Sequence, residues 1–258
     1  MSDAQLSEFE PVDADQEEID VELRLPVEIR TRILVQAAVL RRLALEDAAI
    51  DVGSDPSAEA FDEREWLREQ GLAGELTADE AAMLDSPLGS VAPDRITEAS
   101  WQGEALVVLA WAIGALDTPQ VGTVSDPRPV IAVVPRPWDE TKAWLGDPAI
   151  VSESEAARER EAAEIWYWRL TTEVLRRTAS AADRQEYEEA IRDVTAEALD
   201  AELVPALRDD DFSVHGKSIK DLSGDDINQL IAVTGQRLRA LNWLCGFGTS
   251  WDDVPLDI

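Results

Sequence analysis

The sequence predicts an all-α fold: a single compact domain of six to seven helices over residues 23–258, with at most one short extended segment. Three observations point there. Apolar residues recur at helical spacing along several stretches, capping residues and glycines stand at the ends of those stretches, and runs of strict polar–apolar alternation are almost absent. With 258 residues, 45% of them apolar, the chain can bury a substantial core.

Residues 1–22 carry Asp3, Glu8, Glu10, Asp13, Asp15, Glu17, Glu18 and Asp20 with no basic residue, and are expected to form a disordered acidic tail. Pro26 suits a first helical turn, after which Ile29, Ile33, Ala37, Leu40 and Ala44 predict an amphipathic helix over 26–49, with Arg30, Arg41 and Arg42 facing away. A short helix over 62–70 closes at Gly71, and Thr77 with Glu80 forms a capping box. Asp94 can cap a helix running to Ile113. The five prolines between Asp117 and Pro137 argue against helix there, and Val130–Val134 is the one expected extended piece. Ser152 or Ser154 opens a helix to about Arg177, a second follows over 181–203, and Phe212–Leu222 reads as polar connection. Ser223 caps the last helix, whose Ile227, Leu230, Ile231, Leu238, Leu241 and Cys245 make one stripe ending at Gly246.

Two constellations could carry chemistry. Trp101, Glu104, Val108 and Trp111 fall on one helical face, setting a carboxylate among indoles. Such a group meets a cation or holds a raised pKa, and Arg169 and Arg239 are the candidate cations. The plainer outcome is a Glu–Arg pair that sets helix register. The second constellation is Arg239, Asn242 and Trp243 with the turn Trp251-Asp252-Asp253, where Trp243 can stack on Arg239. That turn reads either as a C-terminal clamp or as one wall of a ligand pocket. Trp138 and Trp144, in the proline-flanked segment, are candidates for an exposed recognition patch.

Composition excludes more than it assigns. There are 54 acidic residues against 23 basic, a formal charge of −31, and this argues against binding nucleic acid, whose affinity depends on Lys and Arg neutralising phosphates. Cys245 and His215 are the only residues of their types, so no disulfide within the chain and no Cys/His zinc site can form. A buried cysteine at 245 is expected to be inert, and Asp252, Asp253 and Glu104 lack the spacing of a cation loop. No phosphate-loop, dinucleotide or nucleophile-elbow motif is present. No apolar run is long enough to span a bilayer, and no secretory signal pattern occurs at Met1–Glu22. The expected location is therefore cytoplasmic, with no membrane partner and no cofactor.

Several of these residues together resemble the uncharacterised bacterial family catalogued as domain of unknown function 4272. They are the helix near Arg30–Leu45, the step Glu65-Trp66-Leu67 to Gly71-Leu72, the run Trp101-Gln-Gly-Glu104 leading to Trp111-Ala-Ile-Gly114, and the blocks Arg239-Ala-Leu-Asn242-Trp243 and Trp251-Asp252-Asp253-Val254. The resemblance spans about residues 27–258 and implies an all-α single domain without an assigned activity. On residues alone, the leading expectation is a non-enzymatic interaction protein. It would grip a protein partner, a basic one by charge, through a surface of Trp101, Glu104, Trp111, Arg169, Arg239, Asn242, Trp243, Trp251, Asp252 and Asp253. The alternative is a small-molecule binder or carboxylate-dependent enzyme using Glu104, Asp252 and Asp253.

Overall fold

Helix α1 (Pro26–Asp51) is the axis around which the N-terminal half is built, in a computed structural model that describes residues 21–51, 57–146, 149–205 and 207–256. Between Arg32 and Leu43 it is enclosed on almost every side, which overturns the expected solvent-facing arginine stripe. Arg42 is wholly buried and pairs with Glu46 one turn on (2.6 Å), while Arg32 is buried and paired with Glu80. Buried guanidiniums persist here because each has a carboxylate and a backbone carbonyl: Glu75 for Arg32 and Ser86 for Arg42.

Around α1 pack α2 (Ser57–Glu69), α3 (Ala78–Asp85), α4 (Pro93–Ser100) and α5 (Gln102–Ala112). The capping box that opens α3 is present as the sequence predicts. Thr77 Oγ1 accepts from the Glu80 backbone N–H (3.1 Å), and Glu80 Oε2 accepts from the Thr77 N–H (2.9 Å). Thr77→Ala should cost about 1 kcal/mol in denaturant unfolding. Glu80→Ala should cost more, because Glu80 also neutralises the buried Arg32.

The helix expected over 94–113 is two helices. Trp101 is both the last cap of α4 and the first cap of α5, and Ala92 with Pro93, in place of Asp94, starts α4. Residues Gly103–Ala112 are all buried, so α5 is a core helix without a polar face. The expected extended piece at Val130–Val134 is helical instead: α6 (Arg128–Val133) begins with Pro127 as its cap and Pro129 in its first turn. Proline there removes only N–H groups that a helix leaves unbonded anyway, so it starts this helix rather than preventing it.

Helices α7 (Glu153–Thr178), α8 (Ala181–Asp200) and α9 (Gly224–Leu244) follow, with serine caps at Ser152, Ser180 and Ser223. The expected polar connection before α9 is a small antiparallel meander. Strand β1 (Leu207–Arg208) pairs Leu207 with Phe212 of β2 (Asp211–Val214), which pairs Val214 with Lys217 of β3 (Lys217–Ser218). Each hairpin turns on two residues of positive φ, Asp209-Asp210 and His215-Gly216, as two-residue hairpins require. Neither dipeptide is among the usual hairpin signals.

Two apolar clusters result. One joins α1–α6 with the C-terminal half of α9, and the other joins α7, α8 and the meander around Trp166 and Phe212, which meet edge to face (4.9 Å). Helix α9 runs through both, with Ile227 and Leu230 in the second and Leu241 and Trp243 in the first. The expected tail lies outside the described residues up to Asp20, but its assigned end is too late, because Val21 is already buried in the first cluster. The strand-like entry is fixed by the Arg24 N–H donating to the Leu244 carbonyl (2.9 Å). Gly246 makes this crossing possible: at φ +85, a Cβ there would lie 2.7 Å from the Glu22 carbonyl oxygen.

Candidate functional site

Glu104 is almost completely buried on α5 and does pair with an arginine, but with neither candidate cation. Arg237 of α9 binds it, Nε at 2.9 Å and Nη2 at 2.8 Å from Oε2. Arg237 then donates to the carbonyls of Gln120 (2.9 Å) and Thr123 (2.7 Å) and to Ser125 Oγ (2.9 Å), while the Ser125 N–H donates to Glu104 Oε1 (2.7 Å). The pair is thus a latch that holds the segment 118–125 down on α5 and α9. Leu230, Thr234, Arg237 and Leu241 lie at i, i+4, i+7 and i+11, so Arg237 falls within a buried stripe that spacing alone could have shown. Arg239 is rotated away from it.

Arg169 lies in a separate network. Its Nε and Nη2 donate to the two oxygens of Asp211, each at 2.7 Å, and its terminal nitrogens also reach Glu173. Asp211 further accepts from the Phe212 N–H, Ser218 Oγ and the Lys220 N–H, and Glu173 from Arg176 and Arg177. This network ties α7 to the meander and is structural in geometry, because its central groups are sealed from solvent.

The C-terminal constellation is partly assembled. Trp243 and Trp251 are buried and meet edge to face at 5.5 Å. Trp243 stacks with Arg24, not with Arg239, and Arg32 lies 4.5 Å over the Trp251 ring. Asn242 donates to the Pro255 carbonyl (2.8 Å) and accepts from Arg160 (3.3 Å), which secures the chain end against α7. Asp253 is turned inward on its own loop: Thr249 Oγ1 and the Ser250 N–H donate to it, and these bonds hold its carboxyl down to about 2. Asp252 is exposed and, with Trp251, lines the clefts on either side of that indole, one of which also includes Arg239. Glu104 lines neither of these clefts, so the carboxylates of the enzyme reading do not gather there.

The remaining sequence candidates divide. Trp138 is 52% exposed at φ +70, whereas Trp144 is half-buried, stacked with Arg30 and donating from its indole nitrogen to the Arg30 carbonyl (3.3 Å). Cys245 is buried, which pushes its thiol up to about 11. His215 Nε2–H donates to the Gly122 carbonyl (2.8 Å). Among the described residues no group of three or more His, Cys, Asp or Glu could hold a metal ion, and no helix is long and apolar enough to cross a membrane.

A narrow, open cleft lies where α5, α7 and α9 meet beneath the latched segment. Each helix presents one stripe to it: Val108 and Trp111 from α5, Glu159, Ala163 and Trp166 from α7, and Thr234, Arg237 and Leu241 from α9, with Thr118, Pro119 and Val121 as the roof. Its walls are largely apolar and its few polar groups are unusual. Trp166 is 2% exposed, yet its indole Nε1–H has no acceptor. Glu159 forms no ion pair among the described residues, and burial raises its pKa above the ordinary carboxylate value despite the neighbouring Arg158. Trp111 is the one predicted site residue in this cleft, and Glu104 stands behind it through Arg237. Glu159, Ala163 and Trp166 recur at i, i+4 and i+7, a signal present in the sequence but not separable there from ordinary packing.

Fold and cleft together define an acidic helical protein with a roofed, indole-walled cavity. The family described as Domain of unknown function (DUF4272) matches residues 7–195, and the chain belongs to that family. The match ends before the Arg239–Trp243 and Trp251–Val254 blocks and before the Thr234, Arg237 and Leu241 wall of the cleft. No curated protein and no solved structure matches the chain.

Proposed function

We propose that this chain is a non-enzymatic binding protein that holds a small, largely apolar molecule in the cleft between α5, α7 and α9. The observation that carries this reading is the mostly apolar cleft itself, walled by Trp111 and Trp166 and holding in Glu159 a half-buried carboxyl without an ion pair among the described residues. Apolar walls with few polar groups are the common composition of small-molecule sites. Cleft lining also relocates the small-molecule alternative: Glu159 takes the place of Glu104, Asp252 and Asp253 as the carboxylate of interest.

The test is a titration of the ¹⁵N-tryptophan-labelled chain with 2-phenylethanol, an uncharged apolar probe. The Trp166 indole resonance, assigned by Trp166→Phe, should shift saturably, and Ala163→Phe, which fills the cleft, should abolish the shift while leaving the circular dichroism spectrum intact. A Trp166 resonance unmoved at millimolar probe would refute the reading.

The protein-partner reading retains one observation in its favour. Val133, the last residue of α6, and Trp138, five residues further on, are 64% and 52% exposed, and the indole is held at a backbone φ that bulky residues rarely adopt. With a charge of −31, a partner docking there would be basic.

A further inference from the structure

The polar groups of the cleft constrain the charge of what it takes. Arg237 and Glu159 are the charged side chains that line it. Arg237 is committed: its donors are taken by Glu104, Gln120, Thr123 and Ser125, so it has little left to offer an anion. Glu159 is the opposite case. It is half-buried on α7 and forms no ion pair among the described residues, and the two arginines beside it in sequence are engaged elsewhere: Arg158 donates to the Glu202 carbonyl (2.8 Å) and Arg160 pairs with Glu164 (3.1 Å). The cavity therefore contains one uncompensated carboxyl and no uncompensated cation.

Its walls add a second constraint. Trp111 and Trp166 present indoles to the same space, and indole faces attract cations and pack against flat apolar bodies. A net charge of −31 raises the local concentration of cations and repels anions at every ionic strength low enough for the field to reach them. Burial pushing the Glu159 carboxyl upward is consistent with a group whose partner is supplied from outside.

We infer that the α5–α7–α9 cleft selects an organic ammonium ion, an amine on a flat apolar body, with the ammonium against Glu159 and the body between Trp111, Trp166, Val108 and Leu241. This rests on the cleft being a ligand site, as proposed above, and adds the charge of the ligand. A cation there combines a hydrogen bond with ion-pair attraction to a partly desolvated carboxylate, whereas an isosteric alcohol makes the hydrogen bond alone and an isosteric acid meets repulsion.

The experiment compares 2-phenylethylamine, 2-phenylethanol and phenylacetate by isothermal titration calorimetry with the full chain, at neutral pH and 150 mM salt so that diffuse attraction to the acidic surface is screened. The amine is expected to bind about tenfold or more tightly than the alcohol, with phenylacetate weakest. Glu159→Gln should remove the advantage, bringing amine and alcohol within about twofold, and Ala163→Phe should abolish binding of both. Alcohol binding as tightly as amine, with both lost in Ala163→Phe, would overturn the ammonium assignment and leave the cleft reading standing. Amine binding that survives Glu159→Gln unchanged would overturn it too, by placing the cation elsewhere. If none of the three probes binds, the cleft reading fails, and the ammonium assignment with it.

Discussion

Replacing Asp211 by alanine is expected to destabilise the protein by about 3–5 kcal/mol, read as a shift of the denaturant unfolding curve. The substitution removes the acceptor of five hydrogen bonds, from Arg169 twice, Phe212, Ser218 and Lys220, and leaves a guanidinium that is 1% exposed with only Glu173 opposite it. A loss below about 1 kcal/mol would mean that solvent reaches Arg169 and that the network is a surface one. The same network sets an acid limit. Burial pushes the Glu173 and Asp211 carboxyls up, but hydrogen bonds from Arg176 and Arg177 on one and Arg169 on the other outweigh it, and both end below their ordinary values. A carboxyl with a folded pKa below its unfolded one contributes stability that is complete above the unfolded pKa and is lost as pH falls through the folded one. Unfolding midpoints should therefore be level with respect to these groups above about pH 6 and fall below about pH 4, and the fall should be shallower in Asp211→Ala.

Arg237→Ala is expected to have an effect of similar size, about 3–5 kcal/mol, with a distinct local signature. It leaves Glu104, 2% exposed, with only the Ser125 N–H, and it frees the Gln120 and Thr123 carbonyls that hold the segment 118–125 in place. Hydrogen exchange should show the Ser125 amide losing protection at denaturant concentrations where α1 amides keep theirs. Arg237→Lys separates the two roles, because a lysine can still neutralise Glu104 but cannot reach two carbonyls and a hydroxyl in a planar fork. It should recover part of the stability while leaving the roof open, so binding of 2-phenylethanol should fall in both variants. Unchanged binding in both would mean that the roof contributes nothing to the cleft.

Much of the fold could be read from residue order, and the misreadings have particular causes. The caps at Thr77, Ser152 and Ser223 are local: a side chain and a backbone N–H three residues apart satisfy each other whatever the rest of the chain does. The meander is not legible in residue type, because its turns use Asp209-Asp210 and His215-Gly216, whose positive φ values are maintained by pairing on both sides. Helix α6 runs against the reading of proline as a breaker, because a place in the first turn makes proline a starter. In the site, burial of Glu104 does require an arginine, but that the partner is Arg237 and not Arg169 or Arg239 depends on which faces meet.

What the sequence by itself determined is what depends on neighbours within a turn or on composition: helix starts, the all-α class, the charge of −31, and the absence of a Cys/His metal set. What only the tertiary structure decided is partnership. Three helices each bear a stripe at i, i+3 or i+4, and i+7, and such a stripe buries equally well against many others, since apolar contact is non-directional. The pairing of Arg237 with Glu104, the latch over residues 118–125, and the cleft holding Glu159 and Trp166 exist because packing brought those particular stripes together.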